Sequence, residues 1–483
     1  MMDGRLLQNS NDDIEENENE DNAVFIKVVF QLGYPGALHT AVLHTAIESI
    51  DPSDIIMGID MMGGRLCPRM RIAYCNVLPA LLILQVTFIL VKCTDISANL
   101  NINLDFSLQK FFTQADIEID AKLKTVELIK KYKYPVETHF VITKDGYKLC
   151  MHRMPRPGAQ PVLLVHGLMS SSASWVIMGP TNGLAYILFQ KGYDVWMLNT
   201  RGNIYSKEHT KRGISDKDFY DFSFHEIGTI DLPSAIDLVL EKTKFQQIQY
   251  IGHSQGSTAF FVMCSEHPEY SVKVKIMQAL SPTTFMEKTR SAVLKFMSFF
   301  KGALSTLLAK LGGHVISATS ELIQKFQHLI CPATELTSKI CGTFDFVLCG
   351  FNWDTFNRTL TPIVIGHVSQ GASTMQIHHY AQLHKELHFR RYDHGPTKNL
   401  IRYKSLTPPS YNLSQTQCKV VLHHGGNDWL ASGSDVINLQ KRLPNCIESR
   451  KVELESFTHF DFMISKDVTS LVYNRVIDLV VTN

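Results

Sequence analysis

The chain has little net charge. Lys and Arg number 47 against 46 Asp and Glu, a formal charge of +1. No run of basic residues is interleaved with aromatics, so nothing marks a nucleic-acid stripe. Cysteine is also scarce, with ten scattered over 483 residues. That rules out a disulfide scaffold, and the lack of any C-x-x-C pair or H-E-x-x-H motif leaves no zinc signature. Residues 23–64 carry no repeat, and the secretory-type apolar segment does not start at Met1. What remains is ordinary for a globular protein: 45% hydrophobic and 19% charged residues, enough chain for one large domain with insertions or for two. No cofactor is expected.

The apolar segment lies inside the chain instead. Arg65, Arg69 and Arg71 precede a mostly apolar run over 72–91, and residues 92–98 then turn polar and small. These are the parts of a signal peptide, and Met70 would place its start correctly. Residues 70–98 are therefore expected to be a signal peptide or a signal anchor. The run is long enough to span a membrane, but Asn76, Pro79 and Gln85 weaken it as a permanent span. Residues 1–69 form an N-terminal extension. Its stretch 8–22 is acidic and reads as disordered, and 23–64 carry no interpretable pattern. Two N-x-S/T sequons, at Asn357 and Asn412, fit passage through the secretory route.

A helical pattern covers 117–132. From Glu137 onward, strand and helix patterns alternate. Strands are expected at 138–143, 148–153, 162–165, 194–198, 247–251 and 274–280, with helices at 231–243 and 257–266. Such βα alternation predicts a mostly parallel sheet with helices on both faces. From 281 to about 414 helical patterns dominate. Alternation returns with a strand at 419–422, a helix at 434–443 and a strand at 451–454. The simplest parse is an α/β core, 99–280 and 415–483, interrupted by a helical insertion over 281–414.

The strand at 247–251 runs into Ile251-Gly252-His253-Ser254-Gln255-Gly256 and then into a helix. Strand, tight turn with Ser at its tip, and helix make a nucleophile elbow. Side chains at Gly252 and Gly256 would clash with neighbouring strand and helix, and the helix N-terminus adds partial positive charge where an oxyanion would form. A serine nucleophile needs a base, and the base an orienting carboxylate; in an elbow architecture they follow in the order Ser, Asp, His. Asp428 and His459 lie in loops after the last two strands, in that order. Asp461 is the rival acid but stands too close to His459 in sequence to orient it. Backbone N–H groups of Gln255 and of Leu168, in Val165-His166-Gly167-Leu168-Met169, are the expected oxyanion donors. His166 is read as structural support. Apolar residues recur from Val293 to Leu308, punctuated by Lys295 and Lys301. They describe a helix that packs on the core, covers an acyl site as a lid, or does both.

These blocks resemble the acid lipases, the gastric and lysosomal enzymes and their insect relatives. The resemblance runs from about Ile117 to the C-terminus. It includes Tyr134-Pro135-Val136-Glu137-Thr138, His166-Gly167-Leu168, Asn199-Thr200-Arg201-Gly202-Asn203, the elbow, Tyr392-Asp393-His394-Gly395-Pro396, Asn427-Asp428-Trp429 and His459-Phe460-Asp461-Phe462. It implies an α/β-hydrolase fold with an inserted helical cap, a secreted or lysosomal setting, and hydrolysis of neutral-lipid esters such as triacylglycerols or steryl esters. The partner implied is a lipid ester at a lipid–water interface, with transient membrane contact unless 72–91 stay as an anchor. Ser254, Asp428 and His459 fall on the family's triad, and Leu168 and Gln255 on its oxyanion positions. The family's cap disulfide falls on Cys331 and Cys341, leaving Cys349 a buried thiol. Leu198 departs from the pattern, standing where the family usually has Gly. A non-catalytic lipid-binding protein and a serine peptidase or thioesterase are the competing functions; the intact triad and the apolar cap weigh against them.

Overall fold

The computed structural model describes residues 24–34, 37–47, 57–59, 114–299, 313–316, 349–350, 352, 355–384 and 388–483. The acidic stretch, the 70–98 segment and the Cys331/Cys341 pair lie outside these residues. Two units are distinguished, 1–91 and 92–483. In the first, strands Val24–Tyr34, Ala37–Ile47 and Met57–Ile59 form an antiparallel sheet, in a stretch whose sequence carried no readable pattern.

The second unit is built on a nine-stranded sheet. Its main strands are β1 (Glu137–Ile142), β2 (Tyr147–Met154), β3 (Pro161–Val165), β4 (Asp194–Leu198), β5 (Ile248–His253), β6 (Val274–Leu280), β7 (Lys419–His424) and β8 (Cys446–Lys451). They lie in the order β1-β2-β4-β3-β5-β6-β7-β8, and a short strand Glu208–His209 pairs with β2. From β4 to β8 every neighbouring pair is parallel; β1 and β2 join antiparallel at one edge.

Strands β3, β4 and β5 are buried at every position, as a sheet covered on both faces requires. Their side chains alternate between two cores. Leu163, Val165, Trp196 and Tyr250 face one with helices α4 (Leu232–Thr243) and α5 (Gln255–Glu266); Val162, Leu164, Val195, Met197 and Ile251 face the other with helix α3 (Leu184–Gln190). Each large side chain so buried stabilises the fold by about 1.5–3 kcal/mol. Leu198, where the family usually has Gly, lies in the first core with no exposure.

Two elements differ from the sequence reading. The pattern at 117–132 is two helices, α1 (Gln114–Asp120) and α2 (Thr125–Lys131). The chain breaks where Gly366 packs on the Ala121 carbonyl, so closely that a Cβ there would sit 2.1 Å from it. His367 then donates a ring N–H to the Leu123 carbonyl (2.9 Å), satisfying a group freed by the break. The last strand is 446–451 rather than 451–454. It is the edge strand, and Glu448, Arg450 and Lys451 break its apolar pattern; only one pairing bond, Val452 N–H to the His424 carbonyl (2.9 Å), reaches the expected segment.

Among the described residues of the inserted region, the helices are α6 (Ala292–Phe299), α7 (Thr361–His367), α8 (Thr374–Leu383) and α9 (Pro396–Tyr403). The chain then returns to the sheet through β7. Helix α10 (Gly433–Gln440) links β7 to β8, and α11 (Asn474–Thr482) ends the chain. Among the described residues no helix is long and apolar enough to cross a membrane.

Candidate active site

Ser254 stands alone between β5 and α5, with φ 51° and ψ −116°. A non-glycine residue rarely adopts such a φ, and the surroundings enforce it. A Cβ on Gly256 would lie 2.2 Å from the Val165 carbonyl oxygen of β3, and one on Gly252 would lie 2.7 Å from the Gly256 carbonyl carbon. Serine commonly caps a helix through its hydroxyl. Here the Ser254 side chain makes no capping bond, and the residue sits at the N-terminal end of a twelve-residue helix.

Asp428 and His459 meet because their loops pack backbone against backbone. Gly425 and Gly426 follow β7; a Cβ on them would come within 2.2 and 2.4 Å of the carbonyl oxygens of Phe457 and Glu455. The Asn427 N–H donates to the Phe457 carbonyl (3.0 Å). The contact sets His459 Nδ1 at 2.9 and 3.1 Å from the two Asp428 carboxylate oxygens. Both residues are buried, to 2% and 1% exposure. The N–H groups of Leu430 (2.8 Å) and Ala431 (2.9 Å) donate to Asp428 Oδ1. Burial pushes the Asp428 carboxyl up, but His459 and these hydrogen bonds outweigh it and hold it below the usual carboxylate range.

Asp461, the rival acid, is occupied elsewhere. It accepts from the Thr458 N–H (2.6 Å) and from the hydroxyls of Thr458 (2.9 Å) and Thr355 (2.7 Å). It therefore braces the loop that carries His459. His253 braces the same loop, its Nε2 lying 3.1 Å from the His459 carbonyl.

The loop holding Leu168 crosses over the elbow. A Cβ on Gly167 would lie 3.1 Å from Ser254 Cβ, and Met169 has φ 59°. His166 lies beneath, as the sequence suggested. Its Nδ1 donates to the Gly167 carbonyl (2.7 Å), and its Nε2 accepts from the Thr200 N–H (3.2 Å) and the Asn203 amide (3.1 Å). Burial lowers the His166 pKa to about 4, so the ring stays neutral. Gln255 is the first residue of α5, and its side-chain amide donates to Gln376 of α8 (2.6 Å). Ser254, His459 and Leu168 line one cavity of about 60 Å³, walled by Ile177, Met286, Leu294, Val364, Phe460 and Met463 among others. Cys349 also lines it.

Sequence reasoning missed Ser281, Gln376 and His253. Ser281, just beyond β6, reaches both Asp428 and His459. No local pattern points to it, because both of its partners lie more than 140 residues away.

A family model described as "alpha/beta hydrolase fold" matches residues 160–465, and one described as "Partial alpha/beta-hydrolase lipase region" matches 125–179. The chain is 39% identical to "Lipase 1" of Drosophila melanogaster over 365 residues, 75% of this chain and 81% of that protein. It is 33% identical to "Gastric triacylglycerol lipase" of Mus musculus over 369 residues, 74% of this chain and 92% of that one. It is 32% identical to "Lysosomal acid lipase/cholesteryl ester hydrolase" of Macaca fascicularis over 371 residues, 74% and 91% of the two chains. The chain belongs to the acid lipase family of α/β hydrolases. The alpha/beta-hydrolase match at 160–465 covers strands β3 to β8, the elbow and the loops that carry Asp428 and His459.

Proposed function

We propose that this acid lipase cleaves carboxylic esters of neutral lipids through an acyl-enzyme on Ser254. The observation that carries the reading is the buried Asp428–His459 pair lining up behind an apolar cavity that Ser254 also lines. Ser254 Oγ attacks the acyl carbon. His459 takes its proton through Nε2 and returns it to the leaving alcohol. Asp428 holds the imidazole with Nδ1 protonated and stabilises the imidazolium. The N–H groups of Leu168 and Gln255, with the α5 terminus, receive the oxyanion. Water then releases the fatty acid. The apolar walls favour an acyl chain over a peptide, and the relatives' names favour triacylglycerol or steryl ester.

Secretory or lysosomal residence belongs to the same reading. Asn357 is half-buried and Asn412 exposed, each carboxamide oxygen accepting from the hydroxyl of its own sequon (2.7 Å). Expression from Met70 in a eukaryotic secretory host should release protein whose N-terminus lies between Cys93 and Asn101; retention in the membrane with 72–91 intact would favour the anchor.

The functional test is incubation with a fluorophosphonate and with a panel of triacylglycerols, steryl esters and short-chain esters. The label is expected on Ser254 with parallel loss of esterase activity. Full activity after complete labelling, or no hydrolysis of any ester, would refute the proposal.

A further inference from the structure

Ser281 occupies a position that the three-residue array does not require. It follows β6 directly, and β6 lies between β5, which delivers Ser254, and β7, which leads to Asp428. The Leu280–Ser281 step hydrogen-bonds both ways. The Ser254 N–H donates to the Leu280 carbonyl (2.9 Å), and the Ser281 N–H donates to the His423 carbonyl (2.8 Å).

At this junction Ser281 adopts φ 54°, a conformation costly for any residue with a Cβ. Its side chain is wholly buried. The Ser281 hydroxyl donates to Asp428 Oδ2, and its oxygen lies 2.6 Å from His459 Nδ1. With that proton on the carboxylate side, the serine oxygen offers a lone pair to the Nδ1–H, which Asp428 also faces at 2.9 Å. Among the described residues it is the only side-chain hydroxyl that donates to Asp428.

We propose that Ser281 is a positioning residue of the Ser254–His459–Asp428 array, whose hydroxyl fixes the imidazole against the carboxylate and sets the acid limit of activity. The inference rests on the proposed function. Its physical basis is competition for one negative charge. A donor on the carboxylate favours the ionised form and lowers the proton affinity of the Asp428–His459 pair as a unit. Without the hydroxyl the pair takes up a proton at higher pH, and a protonated pair cannot act as base.

The other titratable groups around Asp428 do not supply this function. Burial lowers His253, at the end of β5, to about 3, and pushes His424, at the end of β7, below the usual imidazole range. Arg290, in the loop after β6, reaches only the backbone carbonyls of Gly426 (3.3 Å) and Asp428 (3.4 Å).

The test uses the full-length protein and a soluble short-chain p-nitrophenyl ester, with kcat and KM measured from pH 3 to 8. Ser281→Ala removes the hydroxyl and retains the Cβ at positive φ. Ser281→Gly removes the hydroxyl and relieves the backbone. Both variants should lose about tenfold or more in kcat with KM little changed, and the acid limb of kcat should move up by about one pH unit. Unchanged kcat and an unchanged acid limb in both would overturn the proposal. So would a loss in the Ala variant that the Gly variant restores, since that would make Ser281 a purely backbone element. Ser254→Ala, run in parallel, separates the two readings. An active Ser254→Ala would sink the proposed function; an inactive one beside normal Ser281 variants would sink only the role of Ser281.

Discussion

At the scale of single residues, the site depends on how each buried polar group is used. Asp428 and Asp461 are both buried carboxylates within reach of the His459 loop, and their hydrogen bonds separate them. Asp428 receives His459 Nδ1 and two backbone N–H groups; Asp461 receives threonines and a backbone N–H. Asp428→Asn should therefore leave the fold intact and lower kcat by about 10⁴, because an amide cannot hold the reactive tautomer or stabilise imidazolium. Circular dichroism and ester turnover on the purified variant check this. Activity within tenfold of the parent would remove Asp428 from its role.

At the scale of elements, α6 forms one wall of the Ser254 cavity. Leu294 is buried and lines the Ser254 cavity, with Val293 and Met297 half-buried beside it. Separating α6 from the core to admit a long acyl chain would expose apolar surface. In plain water that separation costs about 25 cal/mol for each Å² exposed, and a lipid surface removes the cost by accepting the exposed groups. The side chains of Phe296, Phe299 and Phe300 lie outside the described residues; on the sequence pattern alone, replacing them with Ser should reduce activity on an emulsion more than on a soluble ester. The ratio of the two rates, variant against parent, is the measurement. An equal loss on both would make this segment a packed structural helix and nothing more.

At the scale of the molecule, buried charge and buried histidine govern stability. Arg201 is 2% exposed; it pairs with Asp231 (2.6 Å) and Asp145 (2.7 Å) and lies 4.0 Å from the centre of the Tyr147 ring. Arg201→Ala leaves Asp231 buried without its counter-charge and should cost about 3–5 kcal/mol, read by urea unfolding. A loss below about 1 kcal/mol would contradict the account. Histidine adds a dependence on pH. Burial lowers His152, His166 and His378 to about 4 and His253 and His423 to about 3. An unfolded histidine titrates near 6.5, so below that pH the unfolded chain binds more protons than the folded one. Stability is therefore complete above about pH 6.5 and declines as pH falls toward 4 and 3. Thermal midpoints measured between pH 7 and 4 should fall steadily, and a flat profile would show that these histidines do not stay neutral.

The sequence by itself determined the central strands, the elbow, and the order of Ser254, Asp428 and His459. Those features are written locally: unbroken apolar runs in doubly covered strands, paired glycines around one serine, and loops that follow strands in chain order. It misplaced the edge strand Cys446–Lys451 at 451–454, because exposure permits charged residues there, and it misread the break between α1 and α2, which Gly366 and His367 impose from more than 240 residues away. It chose Asp428 over Asp461 from spacing; in the structure His459 Nδ1 lies 2.9 Å from Asp428, while Asp461 accepts from the hydroxyls of Thr355 and Thr458. Only the tertiary structure decided that Ser281 touches the Asp428–His459 pair and that Gln376 holds the side chain of Gln255. Their partners lie 121 to 178 residues distant. A contact across such a separation leaves no periodicity or turn signal, and it exists only once the sheet has set neighbouring strands side by side.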